Sequence, residues 1–261
     1  MHPTRLTQAP CLKSPMAPAR AGGRALVALA LLAATLPWPP PLRAEGGGAM
    51  PIQVTTTVDT LSGPGCSLRA ALRASDLDQP VGGCPAGAAG ADRVRVPSGT
   101  YTLLPGGPGD DPDDTGDLDV TGPVEVVGAG AELTTIRPAG DAGMAADRVI
   151  EVRSGGAVSL AGVTVRDGRA ARGGGLSVGR GGTLELADCR IVANQATSGG
   201  GLYLDRAEAT VARCAVADNL ASAGGGVYQL AGRGQVVGDG AARDRRLGAV
   251  EVEPAARRRL I

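Results

Sequence analysis

Hydrophobic and polar positions in the second half of the chain alternate in short runs that return every 25 or 26 residues. Gly173-Gly174-Gly175-Leu176, Gly199-Gly200-Gly201-Leu202 and Gly224-Gly225-Gly226-Val227 set the phase, at intervals of 26 and 25. Aligning on these glycines gives three copies, 150–175, 176–201 and 202–226. Ile150, Leu176 and Leu202 share one position, and Val152, Val178 and Leu204 the next. Val158, Leu184 and Ala209 follow, then Leu160, Leu186 and Val211, then Val163, Cys189 and Cys214, then Val165, Ile191 and Val216. Period-two alternation is strand patterning, and Gly, Asp or Asn bounds each short run. One such unit, with three short strands, cannot bury its inner face alone. Stacked units can, with parallel strands about 4.8 Å apart. The pattern therefore predicts a parallel β-helix. A leucine-rich horseshoe has a similar period but needs a Leu-Asn/Cys signature and a helical segment in each repeat, which this chain lacks.

The alignment assigns roles to particular residues. Gly168, Asn194 and Asn219 fall at one position. A strand-to-strand corner there calls for a residue that tolerates positive φ, as Gly and Asn do, and stacked Asn amides can bond from one repeat to the next. The triple glycines mark a second corner where backbones approach closely. Cys189 and Cys214 replace Val163 of the preceding copy. In-register Cβ atoms about 4.8 Å apart exceed the usual disulfide separation, so both are expected to be buried free thiols.

Upstream, Leu118, Val120, Val124, Val126 and Val127, followed by Thr134-Thr135-Ile136, form an earlier, less regular unit, with an insertion at 138–147 before the next. Residues 52–58, 93–96 and 100–103 read as strands, and 67–75 as a short amphipathic helix with Leu68, Ala71 and Leu72 on one face. A helix and strands ahead of the array suit the terminal cap that a solenoid needs. Cys66 and Cys84 flank the helix and a Gly-rich turn, and are expected to form a local disulfide.

Composition sharpens this picture. Glycine and proline number 42 and 19 of 261 residues, which verges on low complexity until the repeat places much of the glycine at corners. One Trp, three Tyr and no Phe leave a narrow aliphatic interior. His2, Lys13 and Trp38 all lie within residues 1–44, where an acid-free basic start, the apolar run Ala25–Ala34 and Leu42-Arg43-Ala44 read as a secretory signal. The run is shorter than the about 20 residues that a membrane anchor needs. From Glu45 onward there is no His, Lys, Trp or Phe. That excludes Ser-His-Asp and Cys-His catalysis, His-ligated metals and Lys Schiff bases. Without its five basic signal residues the formally neutral chain carries about −5. Scattered Arg without interleaved aromatics gives no nucleic-acid footprint.

Val54-Thr55-Thr56-Thr57-Val58-Asp59-Thr60 followed by Cys66-Ser67-Leu68-Arg69-Ala70-Ala71-Leu72 resembles the N-terminal motif of bacterial CSLREA-domain proteins. Gly99-Thr100-Tyr101, Thr115-Gly116-Asp117-Leu118-Asp119-Val120-Thr121-Gly122, Val127-Gly128-Ala129-Gly130-Ala131 and Asp147-Arg148-Val149 resemble further pieces in the family's order, over roughly 52–230. The resemblance implies a secreted or surface-displayed right-handed parallel β-helix, akin to polymorphic outer-membrane and autotransporter-like adhesins. Ala70 stands where the family motif has Glu, so that side chain's capping or ion-pair role is missing. The array also stops after about four coils, where family members commonly continue.

The acidic stretch 109–119 is the one cluster with catalytic types. Paired carboxylates can bind Ca²⁺ or serve glycoside cleavage, but a Pro/Gly-rich loop gives Asp110 to Asp114 no rigid support, and the stretch reads as a solvated loop. Arg153, Arg180 and Arg206 fall near one level without a matching acidic ladder.

The expected organisation is a signal peptide at 1–44, a CSLREA-type cap at 45–115, β-helix repeats at 116–230 and a basic tail at 231–261. Gln229 already breaks the inward apolar alternation, and the tail is expected to be disordered or the product of a truncated or frame-shifted gene. The expected fold is all-β, a right-handed parallel β-helix with one short helix in its cap. The expected function is non-enzymatic. An exported, monomeric protein without cofactor, metal or membrane span in its mature chain would engage a surface polymer or protein. The alternative is a polysaccharide lyase or glycoside hydrolase using Asp and Arg, with calcium.

Overall fold

The computed structural model describes residues 50–106, 115–140, 147–230, 234–237 and 251–253. The expected signal peptide, Asp110 to Asp114 and most of the basic tail lie outside them. The alternating runs form short strands in four separate sheets, and every pairing between these strands is parallel.

In spatial order the first sheet holds Ile52–Gln53, Asp92–Val96, Pro123–Gly128, Ala157–Ala161, Thr183–Ala187, Glu208–Ala212 and Gly234–Val237. The second holds Gly99–Leu103, Thr134–Pro138, Thr164–Arg166, Arg190–Val192 and Ala215–Ala217. The third holds Arg169–Arg172, Gln195–Ser198 and Leu220–Ala223. The fourth holds Leu118–Val120, Ile150–Val152, Leu176–Val178, Leu202–Asp205, Val227–Leu230 and Glu251–Glu253.

From Ala157 to Leu230 the chain visits the four sheets in the same order three times. Each strand pairs with its equivalent one repeat away. Leu186 aligns with Leu160 and Val211, Ile191 with Val165 and Val216, and Leu176 with Ile150 and Leu202. These are the positions that the sequence alignment groups. Within Thr183–Ala187, Leu184 and Leu186 are buried while Thr183, Glu185 and Ala187 between them are half-buried. Removing such a leucine from water contributes about 1.5–3 kcal/mol, and the in-register rows join into one aliphatic core.

The corners follow a stricter rule than the sequence suggests. Left-handed residues recur four to a repeat, at Gly155, Gly162, Asp167 and Gly173, then Gly181, Asp188, Ala193 and Gly199, then Arg206, Arg213, Asp218 and Gly224. The triple glycines thus supply a corner, as their spacing suggests. At the other expected corner the positive φ falls one residue before Gly168, Asn194 and Asn219, on Asp167, Ala193 and Asp218. The Asn side chains serve another purpose there. The third-sheet strands are also unanticipated, because Arg169-Ala170-Ala171-Arg172 has no apolar alternation. In the tail, Gly234–Val237 and Glu251–Glu253 extend the first and fourth sheets, where the sequence pattern gives no repeat.

At the other end Ser67 caps a helix, α1, spanning Leu68–Leu77, its hydroxyl oxygen accepting from the Ala70 amide at 3.0 Å. Leu68 and Leu72 turn onto the apolar interior beside Leu118, Val120, Ile136 and Ile150. Cys66 and Cys84 form a disulfide across a separation of 18 residues, and closing a loop of that size is worth about 3 kcal/mol. Ala70, in place of the motif's Glu, is buried.

Candidate functional site

The strand Leu118–Val120 begins the fourth sheet, and its neighbour is Ile150–Val152. Alternation turns Leu118, Val120, Ile150 and Val152 inward, so Asp119 and Glu151, register partners, share the opposite face. With Asp117 they offer three carboxylate oxygens within 4.8 Å of one another. Asp117 is 4% exposed, and the Asp119 side chain 5%. The expectation of a solvated loop is therefore incorrect for these two residues, because sheet pairing and the cap fold over them.

Three carboxylates this close repel unless compensated. Two arginines compensate them. Arg153 approaches both oxygens of Asp119, at 2.7 and 2.8 Å, and lies 3.5 Å from Glu151. Arg148 lies 3.0 Å from Asp117 and 2.9 Å from Glu151. The hydrogen bond to Asp119 holds the Arg153 guanidinium charged well beyond its already high range. Calcium takes six to eight oxygens, with carboxylates turned toward the ion. Here the carboxylates are turned toward guanidinium groups, and a cation would have to displace them.

The cap positions this cluster. Arg69 of α1 donates to both oxygens of Asp59 at 2.8 and 2.9 Å, with both side chains buried. It also donates to the carbonyls of Gly116 and Asp117 at 2.6 and 2.8 Å, and Asp59 accepts from the Leu104 amide at 2.8 Å. One buried ion pair thus ties the Val-Asp and Cys-Ser-Leu-Arg segments of the motif to the loop that carries Asp117. Asp76, further along α1, accepts from the Thr121 and Gly122 amides at 3.2 and 2.9 Å.

The other sequence-selected residues lie elsewhere. Asn194 accepts from the Gly168 amide at 2.9 Å and donates to the Val165 carbonyl at 3.2 Å. Its own amide and side chain both donate to the Asn219 oxygen, at 2.9 and 3.0 Å, and Asn219 donates to the Ile191 carbonyl at 2.8 Å. This buried amide ladder serves the turn. Cys189 and Cys214 are free and buried, below Val163, and the Cys189 amide donates to the Cys214 sulfur at 3.3 Å. Contact with the Cys214 sulfur and burial push the Cys189 thiol far above its ordinary range. Arg180 and Arg206 share a level, but Arg153 is one residue out of step.

Sequence reasoning missed Arg148 and Glu151, and with them the acidic ladder. Aligning Leu118 with Ile150 would have placed Asp119 beside Glu151. It also missed the outward stack of Tyr203 on Tyr228, with Arg172 above it. Comparison with family models, curated proteins and solved structures found no match to this chain.

Proposed function

We propose that this chain is an exported right-handed parallel β-helix of CSLREA type, whose elongated outer face binds a surface polymer or protein of the cell envelope without turning it over. The carrying observation is the fourfold corner rule with in-register sheets, which stacks equivalent outward positions into long ladders. The motif residues Asp59 and Arg69 support the family resemblance, because they make one buried pair joining cap and array. The acidic cluster supports a structural role, because guanidinium groups engage its carboxylates.

A second reading, polysaccharide cleavage, is favoured by the approach of Arg153 to Asp119 and Glu151, which are register partners. A glycosidase acid must keep its proton near neutral pH, whereas a carboxylate clamped by a guanidinium favours the ionised form. The test incubates the mature protein with uronic-acid polysaccharides and Ca²⁺, following unsaturated-product absorbance and new reducing ends, alongside co-sedimentation with isolated cell envelopes. Envelope binding without product is expected. Robust turnover abolished by Arg153→Gln would overturn the non-enzymatic reading.

A further inference from the structure

Several arginines of this protein end in bidentate carboxylate pairs, Arg69 on Asp59, Arg93 on Glu125, Arg153 on Asp119 and Arg213 on Asp188. Arg172 does not. It closes the third-sheet strand Arg169–Arg172, is exposed, and stands 5.5 Å above the centre of the Tyr203 ring. Among the described residues it makes no ion pair or side-chain hydrogen bond. Tyr203 stacks in turn on Tyr228, with ring centres 5.5 Å apart and planes within 4°.

The arrangement follows from the register. Tyr203 and Tyr228 are partners in the fourth sheet, and the position one repeat earlier is Ser177, whose short side chain leaves room over Tyr203 for a guanidinium. Gly199 and Gly224, at the corner joining third and fourth sheets, are buried against the backbone that carries the tyrosines, where a Cβ would meet the Leu202 carbonyl oxygen at 2.3 Å and the Val227 carbonyl oxygen at 2.6 Å. A cation within about 6 Å of a ring centre is drawn to the ring face, which restrains the guanidinium before any ligand arrives, and its planar fork carries five N–H donors. That geometry receives a carboxylate through two hydrogen bonds, at a reduced ordering cost. Tyr203 itself is buried, and the half-buried Tyr228 backs it from the next repeat, which holds the ring under Arg172 in place.

We propose that Arg172, seated on the Tyr203–Tyr228 stack, forms a binding site for the carboxylate-bearing sugar units of an acidic polysaccharide, with the carboxylate on Arg172. This rests on the envelope-binding reading and names the ligand chemistry of its surface. The site lies apart from the Asp117, Asp119 and Glu151 cluster in the sequence and uses none of its residues.

The experiment titrates the purified mature protein with oligogalacturonate and with uncharged dextran by calorimetry. Tyrosine emission is a second readout, since this chain has no Trp after Trp38. Arg172→Gln and Tyr228→Leu are compared with Arg95→Gln, an exposed arginine of the first sheet. Wild type and Arg95→Gln are expected to bind oligogalacturonate alike and dextran not at all, with both site variants weakened about tenfold or more. Absence of oligogalacturonate binding, or equal weakening by Arg172→Gln and Arg95→Gln, would overturn the site. Envelope co-sedimentation run in parallel separates the two claims. Undiminished envelope binding by Arg172→Gln rejects this site alone, while a wild type that leaves envelopes unbound rejects the reading beneath it.

Discussion

Arg69 shows how much one side chain carries here. Its guanidinium meets a carboxylate and two carbonyls in a space from which water is excluded, so replacing it strands Asp59 as a buried charge. Removing one partner of such a pair costs about 3–5 kcal/mol, and Arg69→Met is expected to lose that much in urea unfolding. Arg93→Met, whose pair with Glu125 leaves the arginine side chain 51% exposed, is expected to lose about 1 kcal/mol or less. Equal losses would show that Arg69 is not the anchor. The thiols give a second prediction at this scale. With Cys189 and Cys214 buried and Cys66 bonded to Cys84, Ellman titration of the chain from Glu45 onward is expected to find no reactive thiol in the native state and two after denaturation. No thiol after denaturation would mean that Cys189 and Cys214 are bridged.

The amide ladder and the corners belong to the scale of the element. Asn194→Ala leaves the Gly168 amide and the Val165 carbonyl without their side-chain partner, and each unmet buried group costs about 1–3 kcal/mol. Gly168→Asn looks conservative, since Asn occupies the position in the next two copies, yet a Cβ there would lie 1.9 Å from the Gly174 carbonyl oxygen. It is expected to destabilise at least as much as Asn194→Ala, as thermal melts would check. A neutral Gly168→Asn would refute this local geometry. The strands of the first, second and fourth sheets were legible because their inward residues are Val, Leu and Ile at period two. The third sheet was not, because Arg169–Arg172 carries small and charged residues on both faces. The shared Asn and Gly position was legible as a corner, but its left-handed residue was not. Asp167, Ala193 and Asp218 have no common chemistry, and the sheets on either side impose that conformation.

At the scale of the whole molecule, repetition and cap could be read from the chain, while the candidate sites lay across repeats. Asp119 and Glu151 come together only through the register of an irregular first unit with a regular second one, and Arg172 meets Tyr203 only across a corner. The far end was partly legible, through Gln229. That residue is 4% exposed at an inward position, and among the described residues its side-chain nitrogen has no hydrogen-bond partner, so Gln229→Leu is expected to raise stability by about 1 kcal/mol. The proposed β-helix requires repeats stacked one strand spacing apart along a common axis. Arg93, Glu125, Ser159, Glu185 and Thr210 form one continuous outward ladder of the first sheet. Spin labels on cysteines placed at Arg93 and Thr210 read that spacing by pulsed electron–electron distance measurement. Four strand spacings predict a narrow distribution centred near about 19 Å, widened only by the label arms. A broad distribution, or one centred beyond about 35 Å, would contradict the stacked array.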